Sequence, residues 1–518
     1  MLHSQLDFVI PENQSISELV SLLQNNFPVR VLAEIVNNRV FYDTFDWRLY
    51  KNGSVLEKHE DGQPGKIYWR AGKHGKLKIQ LGLRKVPRLA SDLADCEFRQ
   101  QLQSVISVRE LTPRIKIKVK RLPLVVLDKN EKVVVRLNFD EYWCSPSRLR
   151  AGQVLGKRLS IKAVKGYLKD YQQVEDLFLA MKLHPARDNM MKLALHVKGV
   201  SAGEYTTKLN LLLDPDMSAE QALKKILLRL LEIMRQNTTG SISGRDTEFM
   251  HDYRVSIRKT RTALKQINDV LPQAVSTKYK KFFSMLGKLT TPVRDLDVFL
   301  LQLESYQRDF SKSEQQQLQA LGEYLLLSRA EAQKKYIEVL KSSQYRENIK
   351  QWSDYLEHSG TESFPPDKPS KAVYKLADEL LWEIYQQAIE QGNAITNNSK
   401  AETLHELRKT FKKLRYLMEF FRSIYPAGKM SVLIHALKAL QDNLGKFNDL
   451  DVHIGIVKEF IKQSMNEDAI KACEQMITIL EQQQRKTRTK FVDCYAAFSS
   501  SDNQSNFKQM FVDYLRER

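Results

Sequence analysis

One basic helical stripe is written twice in this chain. His251, Arg254, Arg258 and Arg261 recur as His405, Arg408, Lys412 and Arg415, each 405 − 251 = 154 residues later. The same shift carries Lys259 to Lys413, Pro272 to Pro426, Leu286 to Leu440, and Asp295-Leu296-Asp297-Val298 to Asp449-Leu450-Asp451-Val452. No gap is needed. A register held over about fifty positions marks a duplicated structural unit. Any fold for this chain must therefore accommodate the same helix twice, and two rows of cations with it.

Steps of three, four and three residues turn a 3.6-residue helix by about −60°, +40° and −60°. The histidine and the three cations of each copy thus share one narrow face. Lys265 extends that face in the first copy, whereas Glu419 closes it in the second. Like charges at these spacings repel by about 0.2–0.5 kcal/mol per pair. A merely solvated face would relieve the repulsion with acids on the same line, but Asp252 and Glu406 sit off it. Two copies in register, each headed by a histidine, favour a ligand that supplies the missing negative charge. Guanidinium forks match the oxygens of phosphate, and histidine adds a donor whose charge changes near neutral pH.

The strings HDYRVSIRKTR (251–261) and HELRKTFKKLR (405–415), followed by VRDLDV (293–298) and FNDLDV (447–452), resemble the CHAD family, whose name refers to histidines on an all-helical domain. The resemblance covers roughly 215–518. It implies two antiparallel helical bundles related by a pseudo-twofold axis, basic helices facing a shared groove, and binding of inorganic polyphosphate. Carried over residue by residue, the polyphosphate-binding set is His251, Arg254, Arg258, Arg261, Lys265 and Arg294 of the first copy with His405, Arg408, Lys412 and Arg415 of the second. The second copy departs from the first at Lys412 for Arg258 and at Asn448 for Arg294, which implies a looser grip.

Composition narrows the partners without choosing among them. A chain of 518 residues should hold more than one domain, since single cores stop growing near 250–300 residues. Its 81 basic against 62 acidic residues favour anionic partners: polyphosphate, nucleic acid or an acidic membrane surface. Cys96, Cys144, Cys473 and Cys494 form no C-x-x-C pair, so neither a zinc site nor a disulfide framework is indicated. Residues 1–20 lack the pattern of a signal peptide, and no apolar run approaches the length of a membrane span. The expected setting is cytoplasmic, with association to polyphosphate granules implied by the family.

Residues 1 to about 200 read differently. Short β-like runs at Val29–Ile35, Val40–Thr44, Ile67–Arg70, Leu77–Leu81, Arg114–Arg121 and Val133–Phe139 are punctuated by turn residues, as in an antiparallel sheet or barrel. After Lys157 the pattern turns helical, with Tyr167–Met181 as a candidate helix. The text Phe41-Tyr42-Asp43-Thr44, Trp47-Arg48-Leu49 and Gly53-Ser54-Val55-Leu56 resembles the CYTH family of antiparallel β-tunnels, which act on triphosphates with metal ions. That family opens on an E-x-E-x-K strand, and here His3, Gln5 and Asp7 stand at those places. Each change removes or inverts a needed charge, and hard divalent cations want carboxylate oxygen. Glu97, Asp140 and Glu141 remain as candidate tunnel carboxylates, and Arg114, Lys116, Lys118 and Lys120 as a basic strand face. The resemblance thus implies a degenerate tunnel-like domain with no catalytic residues and no metal or other cofactor.

The expected fold is α+β and multidomain: a CYTH-like β-rich domain over 1–200, then a helical domain over 215–518, with bundle one at 215–360, a proline-rich linker at 361–370 and bundle two at 371–518. Leu223–Met234 and Leu376–Tyr385 read as the opening helices of the two bundles. The leading function is non-catalytic polyphosphate binding. A metal-dependent triphosphatase or polyphosphatase, with the helical domain as substrate tether, is the alternative. RNA or DNA binding is a further one, disfavoured because no aromatics interleave with the stripes as base-stacking platforms. Oligomeric state is open.

Overall fold

The computed structural model describes residues 5–60, 65–71, 76–145, 152–186, 189–267, 269–357, 371–396 and 398–513. The proline-rich linker at 361–370 and His3 lie outside them. The chain divides into two compact units, Met1–Thr206 and Thr207–Arg518.

Unit 1 is one antiparallel sheet with helices on it. Its strands are β1 (Gln5–Ile10), β2 (Val29–Val31), β3 (Ile35–Thr44), β4 (Ser54–His59), β5 (Lys66–Ala71), β6 (Lys76–Gly82), β7 (Leu111–Leu127), β8 (Val133–Cys144), β9 (Gln153–Ala163) and β10 (His184–Pro185). Helices α1 (Ile16–Asn26), α2 (Arg48–Lys51), α3 (Glu97–Ile106), α4 (Leu168–Ala180) and α5 (Met190–Val197) complete the unit. The strand order is β10-β1-β9-β8-β7-β3-β4-β5-β6, with β2 alongside the far end of β7.

This order overturns the expected tunnel. The sheet is open, its path ending at β10 and β6. A barrel would need β6 to reach the outer edge of β1, and β10 already occupies that edge through Phe8–Pro185 and Val9–His184. The turn to helix after Lys157 is also corrected: β9 runs on to Ala163, held between β1 and β8. Leu159 and Ile161 alternate with polar neighbours and are buried, the period of two that a strand requires.

Three apolar clusters hold this unit together. Phe8, Phe139, Leu159 and Ile161 of the sheet pack with Leu19 and Leu23 of α1 and with Val174 and Phe178 of α4. Ile115, Ile117 and Val119 of β7 meet Met191 and Leu195 of α5. Trp69 of β5 packs with Phe98 and Leu102 of α3. Burying each large side chain is worth about 1.5–3 kcal/mol.

Unit 2 is helical: α6 (Ala219–Ser243), α7 (Thr247–Gln266), α8 (Gln273–Gln307), α9 (Lys312–Gln317), α10 (Gln319–Lys341), α11 (Ser343–Glu357), α12 (Val373–Asn393), α13 (Ala401–Phe420), α14 (Ala427–Gln463), α15 (Glu467–Phe498) and α16 (Ser501–Lys508). The repeat shift of 154 converts the start of α6 into that of α12, both ends of α7 into those of α13, and the start of α8 into that of α14. Local chemistry explains part of this register. Pro272 and Pro426 stand just before α8 and α14, where a missing N–H costs nothing. Asp246 caps α7 by accepting from the amide of Glu248, whereas Lys400 at the matching place of α13 offers no side-chain cap.

The repeats do not keep separate cores. One cluster joins Ile226 and Leu230 of α6, Tyr253 and Ile257 of α7, and Leu407 and Phe411 of α13. A second joins Phe299 of α8 and Leu321 of α10 to Val457 of α14 and Met476 of α15. Trp352 is fully buried in the first of these clusters and Trp382 packs against it, so both tryptophans serve packing.

Candidate functional site

The two stripes lie on α7 and α13, and unit 2 holds a cavity of about 1510 Å³ between elements of both repeats. Its walls include His251, Arg258 and Lys259 of α7, Lys412 and Arg415 of α13, and Asp449 of α14. Arg254, Arg261, Lys265, Arg294, His405 and Arg408 do not line that cavity. Arg254 and Arg408 nevertheless stand close enough to its cations to repel them.

Electrostatics show how closely the stripes approach. Burial, then Arg258 and Arg408, push the Lys412 ammonium from its ordinary range down to about 6, against the pull of Asp449. Burial and Arg258 lower Arg254 to about 10. Arg408 is lowered by burial and Arg258. Asp295 and Asp449 are the carboxylates that partly offset this group; burial, with help from Asp449, holds Asp295 above its usual range despite Arg254. Among the described residues, Arg254, Arg258, Arg261, Lys265, Arg408 and Lys412 make no ion pair at contact distance. The Nε of Arg408 and the Nη1 of Arg294 are buried without a hydrogen-bond partner among them.

Several stripe residues are held by their surroundings. Arg254 Nη1 donates to the carbonyl of Gly287 (3.1 Å) and to the hydroxyls of Thr290 (3.3 Å) and Thr291 (2.6 Å). Arg261 lies over Gly287 so closely that an added Cβ would sit 2.6 Å from its Nη1. His405 Nδ1 donates to Asn448 Oδ1 at 2.7 Å. Arg415 Nη1 donates to Gln441 Oε1 (3.0 Å) and its Nε to Glu419 Oε1 (2.9 Å), while Lys259 Nζ meets Glu419 Oε2 at 2.8 Å across the repeats. Reading the sequence alone misses this Lys259–Glu419 pair. The signal that could have found it is the change of sign at one repeat position, Lys265 in the first copy and Glu419 in the second.

The Asp-Leu-Asp strings have distinct duties. Asp297 pairs with Arg329 Nε at 3.0 Å, and Asp451 accepts from Gln484 Nε2 at 3.2 Å. Asp295 and Asp449 lie close enough to the stripe arginines to attract them: Asp295 acts on Arg254 and Arg408, and Asp449 on Arg408.

In unit 1 the basic strand face is the wet side of the sheet. Lys116, Lys118 and Lys120 are exposed, and Lys116 and Lys120 pair with Glu60 (3.1 Å) and Glu34 (3.0 Å). Arg114 sits over the Trp47 ring, 4.2 Å from its centroid. The candidate carboxylates are otherwise engaged. Glu97 opens α3 and accepts from Gln101 Nε2, and Glu141 accepts from Trp143 Nε1. Asp140 takes Arg121 through two 2.7 Å bonds, Arg39 at 3.1 Å and the Tyr142 hydroxyl at 3.1 Å. Burial would raise that carboxyl, but Arg121 and Arg39 hold it below its ordinary range. Next to Arg39 on neighbouring strands, Glu57 pairs with Arg70 (2.7 Å), which makes a row of charges across β8, β7, β3, β4 and β5 with buried carboxylates and half-buried arginines. Among the described residues, no group of three or more His, Cys, Asp or Glu side chains is placed to hold a metal ion. Likewise no described helix is long and apolar enough to cross a membrane.

The CHAD domain model matches residues 225–458, which contain both stripes and both Asp-Leu-Asp strings. This segment is a CHAD domain. The chain is similar to the CHAD domain from the plant Ricinus communis, at 24% identity over 56% of this chain and 94% of that one, with a TM-score of 0.47. It is also similar to PptA from Streptomyces chartreusis, at 12% identity over 54% and 99%, with a TM-score of 0.44. A third likeness is to a putative adenylyl cyclase from Hippeastrum described as having a dominant triphosphatase activity, at 13% identity over 40% and 100%, with a TM-score of 0.27. No curated protein matches the chain.

Proposed function

We propose that the CHAD domain binds inorganic polyphosphate, with cations of both stripes engaging one anion and no chemistry of their own. The observation that carries this reading is the charge state of the converging stripes. Among the described residues six basic side chains of α7 and α13 make no ion pair, and repulsion from Arg258, Arg408 and Arg254 adds to burial in driving Lys412 down to about 6. A folded chain tolerates such repulsion more readily where a ligand relieves it. Polyphosphate brings one negative charge or more per phosphate and oxygens suited to guanidinium forks. Linking many phosphates in one chain lets contacts with the second stripe form at high effective concentration. Isothermal titration of long-chain polyphosphate into the full chain tests this. The expected result is tight binding that weakens steeply with salt as counterions are released, with one site per chain. Equal loss of affinity from charge reversal at the exposed pair Lys334 and Lys335 would mean that net charge alone is responsible.

A second reading gives unit 1 a hydrolytic role and leaves the CHAD domain as a tether for its substrate. The row of Arg39, Glu57, Arg121 and Asp140 favours it, because buried carboxylates with shifted titration beside arginines are a feature of functional sites as well as of structural ion pairs. Phosphate release from tripolyphosphate by the full chain, across Mg²⁺ and Mn²⁺, is the assay. Turnover that needs metal and is lost in Glu57→Gln would establish it.

A further inference from the structure

The position that distinguishes the stripes is the fifth, Lys265 in α7 and Glu419 in α13. Glu419 is the one carboxylate on either stripe line, and it does not point away from the cations. Its Oε2 lies 2.8 Å from Lys259 Nζ and its Oε1 2.9 Å from Arg415 Nε. Lys259 belongs to the opposite repeat, is nearly enclosed, and has the Tyr416 ring on another side, 5.8 Å from its Nζ to the centroid. Arg415 is steadied by Gln441, whose own Nε2 donates to the Phe411 carbonyl at 2.8 Å. Lys259, Arg415, Glu419 and Gln441 all line the cavity. One carboxylate thus bridges two fixed cations from two repeats inside the space offered to the anion.

The equivalent place in the other copy is built differently. Where Gln441 holds Arg415, Gly287 leaves Arg261 without a side-chain acceptor at that position. Where Glu419 meets Lys259, Lys265 is the neighbour of Lys413, and that pair repels. Repetition of one unit has therefore yielded one pair of cations bridged by a carboxylate and one pair without it.

Building on the polyphosphate reading above, we propose that Glu419 is an internal competitor for the bound polyanion: its carboxylate occupies, between Lys259 and Arg415, the place that a ligand phosphate takes when the site is filled. Carboxylate and phosphate make the same kind of charge-assisted bonds to ammonium and guanidinium. Glutamate's three side-chain torsions allow it to swing aside. A single phosphate group gains too little to displace it, whereas a chain anchored on Arg258 and Lys412, which line the same cavity, presents its next phosphate at high effective concentration. Glu419 would then select for chain length, rejecting orthophosphate and short anions in favour of long ones.

The test measures affinity of the full chain for orthophosphate, tripolyphosphate and long-chain polyphosphate over a salt series. Glu419→Gln should tighten binding at least about fivefold, most for tripolyphosphate, and should steepen the salt slope by roughly one further phosphate contact. Lys265→Glu places a carboxylate at the matching position of the first stripe without touching Glu419. It should weaken binding more than Lys334→Glu, an exposed change of the same charge, and it carries the test if Glu419→Gln folds poorly. Wild type that binds long chains, with Glu419→Gln equal or weaker and Lys265→Glu no worse than Lys334→Glu, would overturn the role of Glu419 alone. Failure of wild type and Glu419→Gln alike to bind any polyphosphate would refute the polyphosphate reading beneath it.

Discussion

The two repeats of the CHAD domain share a helix register to the residue and differ in how they treat their cations. In the first, Arg254 is tied to a carbonyl and two threonine hydroxyls, which are neutral partners, and Arg258, Arg261 and Lys265 make no ion pair among the described residues. In the second, Arg415 is neutralised by Glu419, His405 is fixed by Asn448, and Lys412 has been driven toward its neutral form. The lesson is that register and charge are separable. The apolar positions that seat α7 and α13 in a common core preserve the register, while exposed and half-buried positions remain free to diverge. Under the polyphosphate reading, the first copy would offer guanidinium charges to the anion, and the second would answer to the proton on Lys412 and to Glu419.

This contrast can be broken in several ways. The largest expected effect is on the first stripe: Arg254→Glu with Arg258→Glu should cost at least about a hundredfold in polyphosphate affinity, since two contacts become repulsions. Reversing Lys334 and Lys335 should cost no more than about threefold by the same titration. A comparable loss at both places would remove the stripe from the account.

Next comes the stability of the Asp-Leu-Asp strings. Asp297 is buried against Arg329, whereas Asp451 is exposed and bonded to Gln484. Asp297→Ala should lower the urea unfolding free energy of the CHAD domain by about 2 kcal/mol, because it strands a partly buried guanidinium. Asp451→Ala should change it by less than about 0.5 kcal/mol. Equal costs would show that the repeats are built alike at this point.

The pH dependence sharpens the contrast further. Lysine in the unfolded chain keeps its proton to its ordinary range, but folded Lys412 releases it near 6. Folding therefore expels a proton between those values, so this group's contribution to stability improves as pH rises through that window and is poorest below about 6. Anion binding restores the charge and takes the proton up. Affinity should rise as pH falls from 8 toward 6, by up to about tenfold per pH unit for a single proton. Lys412→Arg, which copies Arg258, should flatten most of that rise. An unchanged profile in that variant would remove Lys412 from the mechanism.

Smallest of all should be the effect of Lys116→Glu with Lys118→Glu on the sheet unit. Both lysines are exposed, so polyphosphate affinity should stay within about twofold.

How much of this the sequence made legible follows physical locality. The helices α6, α7, α12 and α13 could be read because a 3.6-residue period shows itself within a few turns. The alternation of Lys116, Lys118 and Lys120 with Ile117 and Val119 was equally readable, and the lysines face water as an amphipathic strand would place them. Sheet closure was not legible. Whether β6 reaches β1 depends on what else competes for that edge, and the competitor, β10, is two residues long with no strand-like composition. β9 was misread at its end because Lys157–Ala163 carries the polar residues of a strand whose neighbours lie far away in sequence. Asp140 and Glu419 show the same limit for sites. Each has the right charge for one role, and the arginines and lysine that give it another come from distant positions.

The central claim is that phosphate chains, and not polyanions in general, are what the converging stripes accommodate. The most direct measurement is a competition titration on the full chain, with labelled long-chain polyphosphate displaced by single-stranded RNA at equal phosphate concentration and fixed salt near physiological strength. RNA should displace the label poorly, because its sugars and bases spread the phosphate charges further apart than polyphosphate does. RNA that displaces polyphosphate mole for mole of phosphate would contradict it.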